Sequence, residues 1–294
     1  MKKQNGGAVQ IKRIHLHGVA HAKVNLALHI IRKQDNGYHE IQSLVAFTQF
    51  GDEISLCLNE ESTLHITGTF KDLIPGIHNN LISKGLHLFS SRSESGFAVK
   101  LEKQIPVCAG LGGGSSDAAK AIQLASKLLA CPLPTTQQLV SVGTDVPVCM
   151  SLQPCLVSGI GDKIKPIMNI PALPLILVNP NINLATGPVF QSLTTVNNSK
   201  FSLLPNSWSF NELISWLKCQ RNDLEESAFR LCPTIKDVLR AIKHTQGCLM
   251  ARMTGSGPTC YGIYETNDIA VQAAHILSEN HPGWWVRATH TLSA

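Results

Sequence analysis

Alternating apolar and polar positions dominate the first hundred residues of the chain. They predict four β-strands, over residues 24–31, 53–58, 63–70 and 97–105. In the third of these, apolar Leu64 and Ile66 alternate with polar neighbours, as expected of a strand with one exposed face. Gly68 then breaks the alternation and indicates a bulge or the end of the strand.

Apolar residues at helical spacing predict the helices. The clearest helix covers residues 116–129, with Ser115 or Ser116 as a natural N-cap and Asp117 in the first turn. Further helices are predicted from the N-cap residue Asn80 to Leu88, over Thr136–Val142, and over residues 211–220, 233–244 and 268–279.

The second half of the chain adds strands to these helices. They are predicted over residues 175–178, 249–254, 260–264 and 284–290. A mixture of proline and isoleucine over residues 163–174 indicates a passage between two domains. Because helices and strands are mixed without strict βαβ alternation, the sequence favours an α+β fold over a doubly wound sheet.

Composition describes an ordinary folded protein. Of the 294 residues, 44% are hydrophobic and 15% charged, which excludes a disordered chain. The aromatic fraction of 5% is low for an RNA-binding surface that stacks bases. The formal net charge of +5 is spread along the chain, and it suits an anionic small substrate as well as nucleic acid.

Cysteine usage and hydropathy indicate a cytoplasmic protein. The nine cysteines form an odd set without a CxxC pair, so zinc and redox motifs are not expected and most should be small buried residues. No apolar run approaches the roughly 20 residues that span a bilayer, and the polar first residues do not resemble a signal peptide. We therefore expect no membrane partner.

The segment with the most specific chemistry is the glycine–serine loop over residues 110–116, Gly-Leu-Gly-Gly-Gly-Ser-Ser. Glycines let backbone N–H groups face a ligand closely, and a following helix adds the positive end of its dipole. The serine hydroxyls can donate hydrogen bonds or reach a magnesium ion. The loop therefore predicts nucleotide phosphate binding, which indicates a small-molecule kinase.

Other glycine motifs do not fit this loop. A Walker loop ends in Gly-Lys-Ser/Thr and this one has no lysine, whereas a dinucleotide fingerprint needs glycine at Ser115. The structural alternative is a strand-to-helix turn with a serine cap, but three consecutive glycines carry an entropic cost that such a turn does not need.

Two further glycine segments have simpler interpretations. Residues 254–259, Thr-Gly-Ser-Gly-Pro-Thr, lie between two predicted strands, and a hairpin turn and a ligand loop are equally good interpretations. Residues 159–162, Gly-Ile-Gly-Asp, are more typical of a bend or turn.

Kinase chemistry needs a group that takes or orients the hydroxyl proton, and a cation for the transferring phosphoryl group. Asp145 follows Gly-Thr and precedes Val-Pro, and its alternative role is a helix cap. Lys23 lies in a largely apolar predicted strand, where it has either an anionic partner or a water-exposed head at a sheet edge.

A possible base-recognition segment covers residues 35–39, Asp-Asn-Gly-Tyr-His. As ligand groups, Tyr38 would stack on a flat ring and His39 would hydrogen-bond to its edge. The alternative is a hairpin turn with a packed tyrosine.

Together these segments resemble the GHMP superfamily of small-molecule kinases. The matching segments follow the order of the family between about residue 20 and about residue 265: residues 22–26, 35–39, 106–119, 143–147 and 254–259. The resemblance implies a two-domain α+β fold with the active site in the cleft between the domains. Residues 1–168 would form the N-terminal, ATP-binding and catalytic domain, and residues 169–294 the C-terminal domain on the substrate side.

The resemblance also implies a reaction. Residues 35–39 are characteristic of those members that act in non-mevalonate isoprenoid precursor biosynthesis. These phosphorylate the 2-hydroxyl of cytidine diphosphate methylerythritol with ATP and Mg²⁺. By this resemblance Asp145 would act as the base, and Lys23 would hold its charge and orient the hydroxyl. The protein would be a monomer or weak homodimer that binds no nucleic acid.

The same resemblance supplies the binding residues. Those implied for ATP are Pro106, Ala109, Gly110, Leu111, Gly112, Gly113, Gly114, Ser115 and Ser116. Those implied for the substrate are Asn25, Tyr38, His39, Asp145, Phe190, Thr254, Gly255 and Ser256. Tyr38 and Phe190 would sandwich the cytosine ring. The metal ligands are unknown, with Ser115 or Ser116 as candidates.

Some positions depart from the pattern of the family. Leu152-Gln153-Pro154 stands where the family usually has a glycine-containing turn, Asn79 stands where aspartate is common, and the N-terminal extension is longer than expected.

Two alternative functions stay open. The phosphate loop alone does not separate this reaction from that of a homoserine or mevalonate-type kinase or of a diphosphomevalonate decarboxylase. The second alternative is a nucleic-acid-binding module, which would need clustered basic residues.

Overall fold

A computed structural model describes residues 14–35, 37–74, 80–93, 95–205 and 208–293 of the chain. Within these residues, the first half is built on a six-stranded sheet. Its strands are β1 (Leu16–Lys33), β2 (His39–Asn59), β3 (Thr63–Thr67), β4 (Gly96–Glu102), β5 (Cys155–Gly159) and β6 (Lys163–Pro166). The order is β3-β4-β2-β5-β6, with β1 also paired to β2, and only β3 and β4 are parallel.

Helices of the first half pack against this sheet. They are α1 (Leu81–His87), α2 (Gly113–Leu128), α3 (Thr136–Val142) and α4 (Val146–Ser151), and a short 3₁₀ turn covers Lys71–Leu73. Ile54, Leu56, Phe89 and Ile122 are among the fully buried side chains of the core between sheet and helices. Asn80 caps α1 by accepting a hydrogen bond from the Ile82 N–H, as predicted.

The second half carries an antiparallel four-stranded sheet in the order β10-β7-β9-β8. Its strands are β7 (Pro174–Asn179), β8 (Met250–Met253), β9 (Cys260–Ile263) and β10 (Trp285–His290). The helices are α5 (Thr186–Gln191), α6 (Phe210–Lys218), α7 (Glu225–Leu231), α8 (Thr234–Lys243) and α9 (Asn267–Asn280). The mixture of helices and strands agrees with the predicted α+β class.

Strand β1 joins the two halves. Its Leu26 carbonyl accepts hydrogen bonds from the Tyr261 hydroxyl (2.7 Å) and the Arg252 guanidinium (2.9 Å), both from the second sheet. Leu26 and Leu177 belong to one buried cluster, whereas Ile30 and Ile176 belong to another. The two halves therefore share their apolar core. The predicted domain boundary at residue 168 lies between the two sheets and stays a prediction.

The observed bounds of several elements differ from the predicted ones. The strand predicted over residues 63–70 ends at Thr67, because Gly68 has φ +90° and a Cβ there would lie 2.5 Å from the Lys103 carbonyl oxygen. Residues 163–174 were predicted as a passage between domains, but Lys163–Pro166 pairs with β5. Strands β5 and β6 and helices α4, α5 and α7 were not predicted at all.

The predicted cap of α2 is wrong. The helix begins at Gly113, and its N-cap is Gly112 in the left-handed conformation, with φ +63°. Ser115 and Ser116 therefore lie inside the first turn, and Asp117 lies beyond it. Glycine replaces a serine cap here because the backbone must turn sharply from the loop into the helix.

A buried cluster of charges lies beneath this helix start. The Lys103 ammonium pairs with Asp52 and, at 2.7 Å, with Asp117, and all three side chains are at most 3% exposed. The Gln104 and Ile105 N–H groups donate to Asp52 at 2.6 and 2.8 Å. Burial raises the pKa of Asp117 although Lys103 opposes it, and the two carboxylates outweigh burial to raise the pKa of Lys103.

Substitution of Lys103 is expected to destabilise the fold strongly. Lys103→Met leaves two carboxylates buried without their cation, which costs about 3–5 kcal/mol of unfolding free energy. Urea denaturation followed by circular dichroism measures this. Arg240→Met is the matched control, because it removes an exposed pair with Asp237 that is worth at most about 1 kcal/mol. Equal unfolding midpoints for the two variants would contradict the assignment of Lys103 as a core ion pair.

Candidate active site

A cavity of about 930 Å³ opens between β1, the loop before α2 and helix α5. It brings together most of the residues predicted from the sequence. Those on its wall are Lys23, Asn25, Tyr38, His39, Pro106, Ala109, Gly110, Gly112, Gly113, Gly114, Ser115, Asp145, Phe190, Gly255 and Ser256. Segments as far apart in the sequence as Lys23 and Ser256 therefore meet at one site.

Three predicted residues lie behind the wall instead. Leu111 is buried, and its carbonyl accepts the Lys23 N–H at 2.8 Å. The buried Ser116 hydroxyl donates to the Cys149 sulfur at 3.4 Å. Thr254 accepts the Asn25 N–H at 2.8 Å through its hydroxyl oxygen. These three residues connect the segments that form the site. Of the two serines named as candidate metal ligands, only Ser115 lines the cavity.

The phosphate loop needs glycine at two positions, because neighbouring atoms leave no room there for a Cβ. Gly110 has φ +72°, and a Cβ there would lie 2.5 Å from the Thr254 carbonyl oxygen. A Cβ at Gly112 would lie 2.9 Å from the Lys23 Cε. Gly114 is different, because the nearest atom to its Cβ position, on Leu81, is 3.7 Å away. A side chain is therefore excluded at Gly110 and Gly112, whereas one would have room at Gly114.

We interpret the start of α2 as a candidate anion site. Gly113, Gly114 and Ser115 are its first residues and line the cavity. The first N–H groups of a helix have no acceptor four residues earlier within the helix, so they are available to a ligand. With the positive end of the helix dipole, they favour phosphate.

Lys23 and Asp145 form an ion pair on the cavity wall. The Lys23 ammonium lies 3.0 Å from the Asp145 carboxylate, and the two side chains are 9% and 44% exposed. Burial lowers the pKa of Lys23, but the Asp145 carboxylate outweighs it and the pKa is raised above its ordinary value. Lys23 therefore stays charged, and the partly exposed Asp145 stays accessible.

The alternative interpretations of these two residues hold only in part. Lys23 lies in β1, which among the described strands pairs with β2 alone and so is an edge strand, but its side chain is buried and its head is not in water. Asp145 is the N-cap residue of α4, but it directs its carboxylate to Lys23. The departure at Leu152-Gln153-Pro154 falls at the opposite end of α4, where Leu152 has φ +51°. Asn79 lies outside the described residues.

The tip of the β1–β2 hairpin and helix α5 form the far end of the cavity. The rings of His39 and Phe190 lie 5.5 Å apart with an interplanar angle of 45°, and Tyr38 beside them is 57% exposed. Burial and the neighbouring Lys33 ammonium lower the pKa of His39, so its ring is neutral near pH 7 and offers both a donor and an acceptor. The segment is also a hairpin turn, in which the Gln34 N–H donates to the Tyr38 carbonyl at 2.8 Å.

The two other glycine segments are turns. Residues 254–259 connect the antiparallel strands β8 and β9, so the hairpin interpretation is confirmed, and Gly255 and Ser256 also line the cavity. The Ser256 hydroxyl lies 2.9 Å from the Thr186 hydroxyl on α5. Residues 159–162 form the predicted turn, in which Asp162 accepts the Ile160 N–H at 3.0 Å.

Some cavity residues were not predicted. They include Lys33, Ser43, Cys108, Thr186 and Gln191. Ser43 is a buried hydroxyl beside an apolar run of β2, and a lone polar residue in such a run was the available signal. Thr186 and Gln191 lie on α5, a six-residue helix that is too short for its periodicity to be recognised.

Comparison with known proteins identifies the family. The model of the GHMP kinases N terminal domain matches residues 80–162, and that of the GHMP kinases C terminal domain matches residues 209–283. A protein of Chelativorans sp. (strain BNC1), named 4-diphosphocytidyl-2-C-methyl-D-erythritol kinase, is 44% identical over 285 residues, covering 95% of this chain and 97% of the relative. The chain belongs to the GHMP kinase family.

Other relatives of this GHMP kinase agree. A protein of the same name from Dinoroseobacter shibae (strain DSM 16493 / NCIMB 14021 / DFL 12) is 40% identical, with 92% of this chain and 93% of the relative covered. The crystal structure of a 4-(cytidine 5'-diphospho)-2C-methyl-D-erythritol kinase has a TM-score of 0.77 at 27% identity, covering 95% of this chain and all of that one. The L. major mevalonate kinase, with a TM-score of 0.67 at 15% identity and coverage of 96% and 97%, shares the fold.

The described part of this GHMP kinase shows no sign of a disulfide, a metal cluster or a membrane-spanning helix. All nine cysteines are free thiols. The described residues contain no group of three or more His, Cys, Asp or Glu side chains arranged for a metal ion. No helix among them has the length and apolar character needed to cross a bilayer.

A methyl group at Gly112 is expected to disable the site. In Gly112→Ala the added Cβ collides with the Lys23 side chain, and φ is +63°, so Lys23 must move away from Asp145. Because a displacement of about 1 Å costs roughly 100-fold in rate, we expect a loss of that order in kcat. Gly283→Ala is the control, since its Cβ would have no described atom within 4 Å. Wild-type kcat in Gly112→Ala would show that Lys23 is not held by the loop.

Proposed function

We propose that this GHMP kinase transfers the γ-phosphoryl group of ATP to the 2-hydroxyl of 4-diphosphocytidyl-2-C-methyl-D-erythritol, a step of non-mevalonate isoprenoid precursor biosynthesis. The observation that carries the proposal is that one cavity holds an anion site, a Lys–Asp pair and an aromatic end with a neutral imidazole. Relatives at 40–44% identity that span nearly the whole chain bear the corresponding name.

The phosphate chain of ATP fits the start of α2. The open Cβ position of Gly114 and the N–H groups of the first turn form a cradle of the size and polarity that phosphate oxygens need. When bound, ATP supplies the phosphoryl group and Mg²⁺ neutralises its charge. Ser115, whose hydroxyl is on the cavity wall, is the residue proposed to reach the metal.

Asp145 is proposed as the group that receives the hydroxyl proton. Its carboxylate is partly exposed on the cavity wall, where an acceptor hydroxyl can come within hydrogen-bond distance. Lys23 holds that carboxylate in place from one side. Its buried positive charge also favours the negative charge that develops on the reacting oxygens.

The aromatic end is proposed to bind the cytosine ring. Tyr38 and Phe190 offer faces for stacking, and the neutral His39 ring offers polar atoms to the edge of the base. An acceptor without a nucleobase, such as homoserine or mevalonate, has no use for these side chains. The similarity to mevalonate kinase at 15% identity reflects the fold alone.

Other parts of the proposal rest on the sequence. The division into an ATP-binding domain over residues 1–168 and a substrate domain over residues 169–294 fits the position of the two sheets on either side of residue 168. A cytoplasmic location and a monomeric or weakly dimeric state also stay predictions.

An acceptor comparison tests the function directly. Purified enzyme with ATP and Mg²⁺ is expected to consume ATP with the cytidine compound and not with homoserine or mevalonate. Asp145→Asn and Lys23→Met should each lower kcat by roughly 10²–10⁴-fold, because they remove the proton acceptor or its partner. ATP consumption coupled to a dehydrogenase assay measures both results.

Asp237→Asn is the matched control for Asp145→Asn, because it neutralises an exposed carboxylate on α8 far from the cavity. It should keep wild-type turnover. Near-normal turnover in Asp145→Asn or Lys23→Met would refute the catalytic assignment. Turnover of homoserine or mevalonate in place of the cytidine compound would refute the acceptor.

Removal of the exposed Tyr38 ring should weaken binding of the cytidine acceptor and leave binding of ATP nearly unchanged. Loss of one base–aromatic stack costs roughly 1–3 kcal/mol, so Tyr38→Ala should raise the KM for the cytidine compound about 5- to 150-fold. The KM for ATP should stay within about twofold. Tyr38→Phe retains the ring and should bind like the wild type, as steady-state kinetics will report. An equal rise in both KM values for Tyr38→Ala would exclude the stacking role.

A further inference from the structure

The Asn25 side chain is held at both ends of its amide. Its Oδ1 accepts a hydrogen bond from the Lys23 ammonium at 3.0 Å, and its Nδ2 donates to the Ser43 hydroxyl at 2.7 Å. Asn25 is 4% exposed and Ser43 fully buried. An amide rotated by 180° would point its NH₂ group at the ammonium, where two donors oppose each other.

The direction of the Ser43 hydroxyl is also determined. Its single hydrogen is donated to the Ala27 carbonyl at 2.7 Å, so its oxygen is left to accept from Asn25. The chain of hydrogen bonds therefore runs in one direction, from Lys23 through Asn25 and Ser43 to the Ala27 carbonyl. Asn25 can satisfy Lys23 and Ser43 together in only one orientation.

A β-bulge creates this arrangement. Asn25 pairs with Val45 and Ala27 with Leu44, so Leu26 is an extra residue in β1 between them. Bulges turn the neighbouring side chains and carbonyls away from the regular ladder. The Ser43 hydroxyl fills the resulting space, where it bonds to the Ala27 carbonyl on one side of the bulge and to the Asn25 amide on the other.

The backbone of Asn25 is held separately from its side chain. Its N–H donates to the Thr254 hydroxyl at 2.8 Å, from the turn between β8 and β9. Loss of the Ser43 hydroxyl would therefore leave the position of the residue unchanged and free only the amide. This separation makes the orientation of the amide a property that one substitution can change.

We infer that Ser43 is a positioning residue, which orients the Asn25 amide so that its Oδ1 holds the Lys23 ammonium at Asp145. The inference rests on the proposed roles of Lys23 and Asp145. Without the Ser43 hydroxyl the Asn25 amide is held at one end only, by Lys23 itself, so the acceptor that fixes the direction of the ammonium is no longer anchored. The anion site at α2 and the aromatic end are built from other residues and stay intact.

The expected consequence is a loss of rate without a loss of binding. Ser43→Ala should lower kcat by roughly 10- to 100-fold, as expected of a small displacement of reacting groups, and leave both KM values within about twofold. Ser43→Cys keeps the unbranched shape of the side chain with a somewhat larger atom that is only a weak donor and acceptor, so it should show the same loss if Ser43→Ala folds poorly. Ser126→Ala removes another buried serine hydroxyl that bonds to a carbonyl, that of Cys131 at the far end of α2, and should keep wild-type kcat.

A double-mutant cycle with Asn25→Ala decides between positioning and simple structural support. If Ser43 acts through Asn25, Ser43→Ala should change kcat less than twofold when Asn25 is already alanine. The same loss in both backgrounds, or no loss in the wild-type background, overturns the inference. Wild-type turnover of the cytidine compound is measured alongside, so its absence would count against the proposed function and not against Ser43.

Discussion

The anchoring of β1 by both halves of the molecule is the constraint on which the site depends. Its Leu26 carbonyl is bonded by Tyr261 and by the buried Arg252, and its neighbour Asn25 is bonded through the backbone to Thr254. A buried guanidinium satisfied by carbonyls leaves little freedom to the segment it contacts. Because Lys23 lies two residues before Asn25 on the same strand, the anchoring also fixes where the catalytic candidate emerges.

Two buried lysines flank the phosphate loop, and their partners explain their different roles. A Cβ at Gly112 would meet Lys23, and one at Gly113 would lie 3.0 Å from the Lys103 ammonium. Lys103 has two carboxylate partners that are each at most 3% exposed, and Asp117 keeps one oxygen without a hydrogen-bond partner among the described residues. The Lys23 partner, in contrast, is 44% exposed. Both pairs border the cavity, but only the Lys23 pair presents a carboxylate that is open to a ligand.

The sequence was sufficient where local chemistry decides the structure, and insufficient where tertiary contacts do. The bounds of α3 follow from its Thr135 cap, and the order of the motifs located most of the cavity wall. The start of α2 was misplaced because a serine cap is locally favourable, whereas the close approach to Lys23 requires Gly112 in the left-handed conformation. The burial of Lys23 was undecided for the same reason, since only the folded chain supplies Asp145.

The residues proposed for phosphoryl transfer and those proposed for acceptor recognition lie on different elements of this GHMP kinase. The anion site and the Lys–Asp pair come from β1, α2 and the residue before α4, whereas the aromatic end comes from a hairpin tip and the six-residue α5. A hairpin tip and a short helix tolerate substitution better than a strand shared by two cores. Proteins named for mevalonate or homoserine keep this fold at 15% identity. With the proposed roles, acceptor choice would change at the aromatic end while the buried contacts of β1 keep the Lys–Asp pair in place.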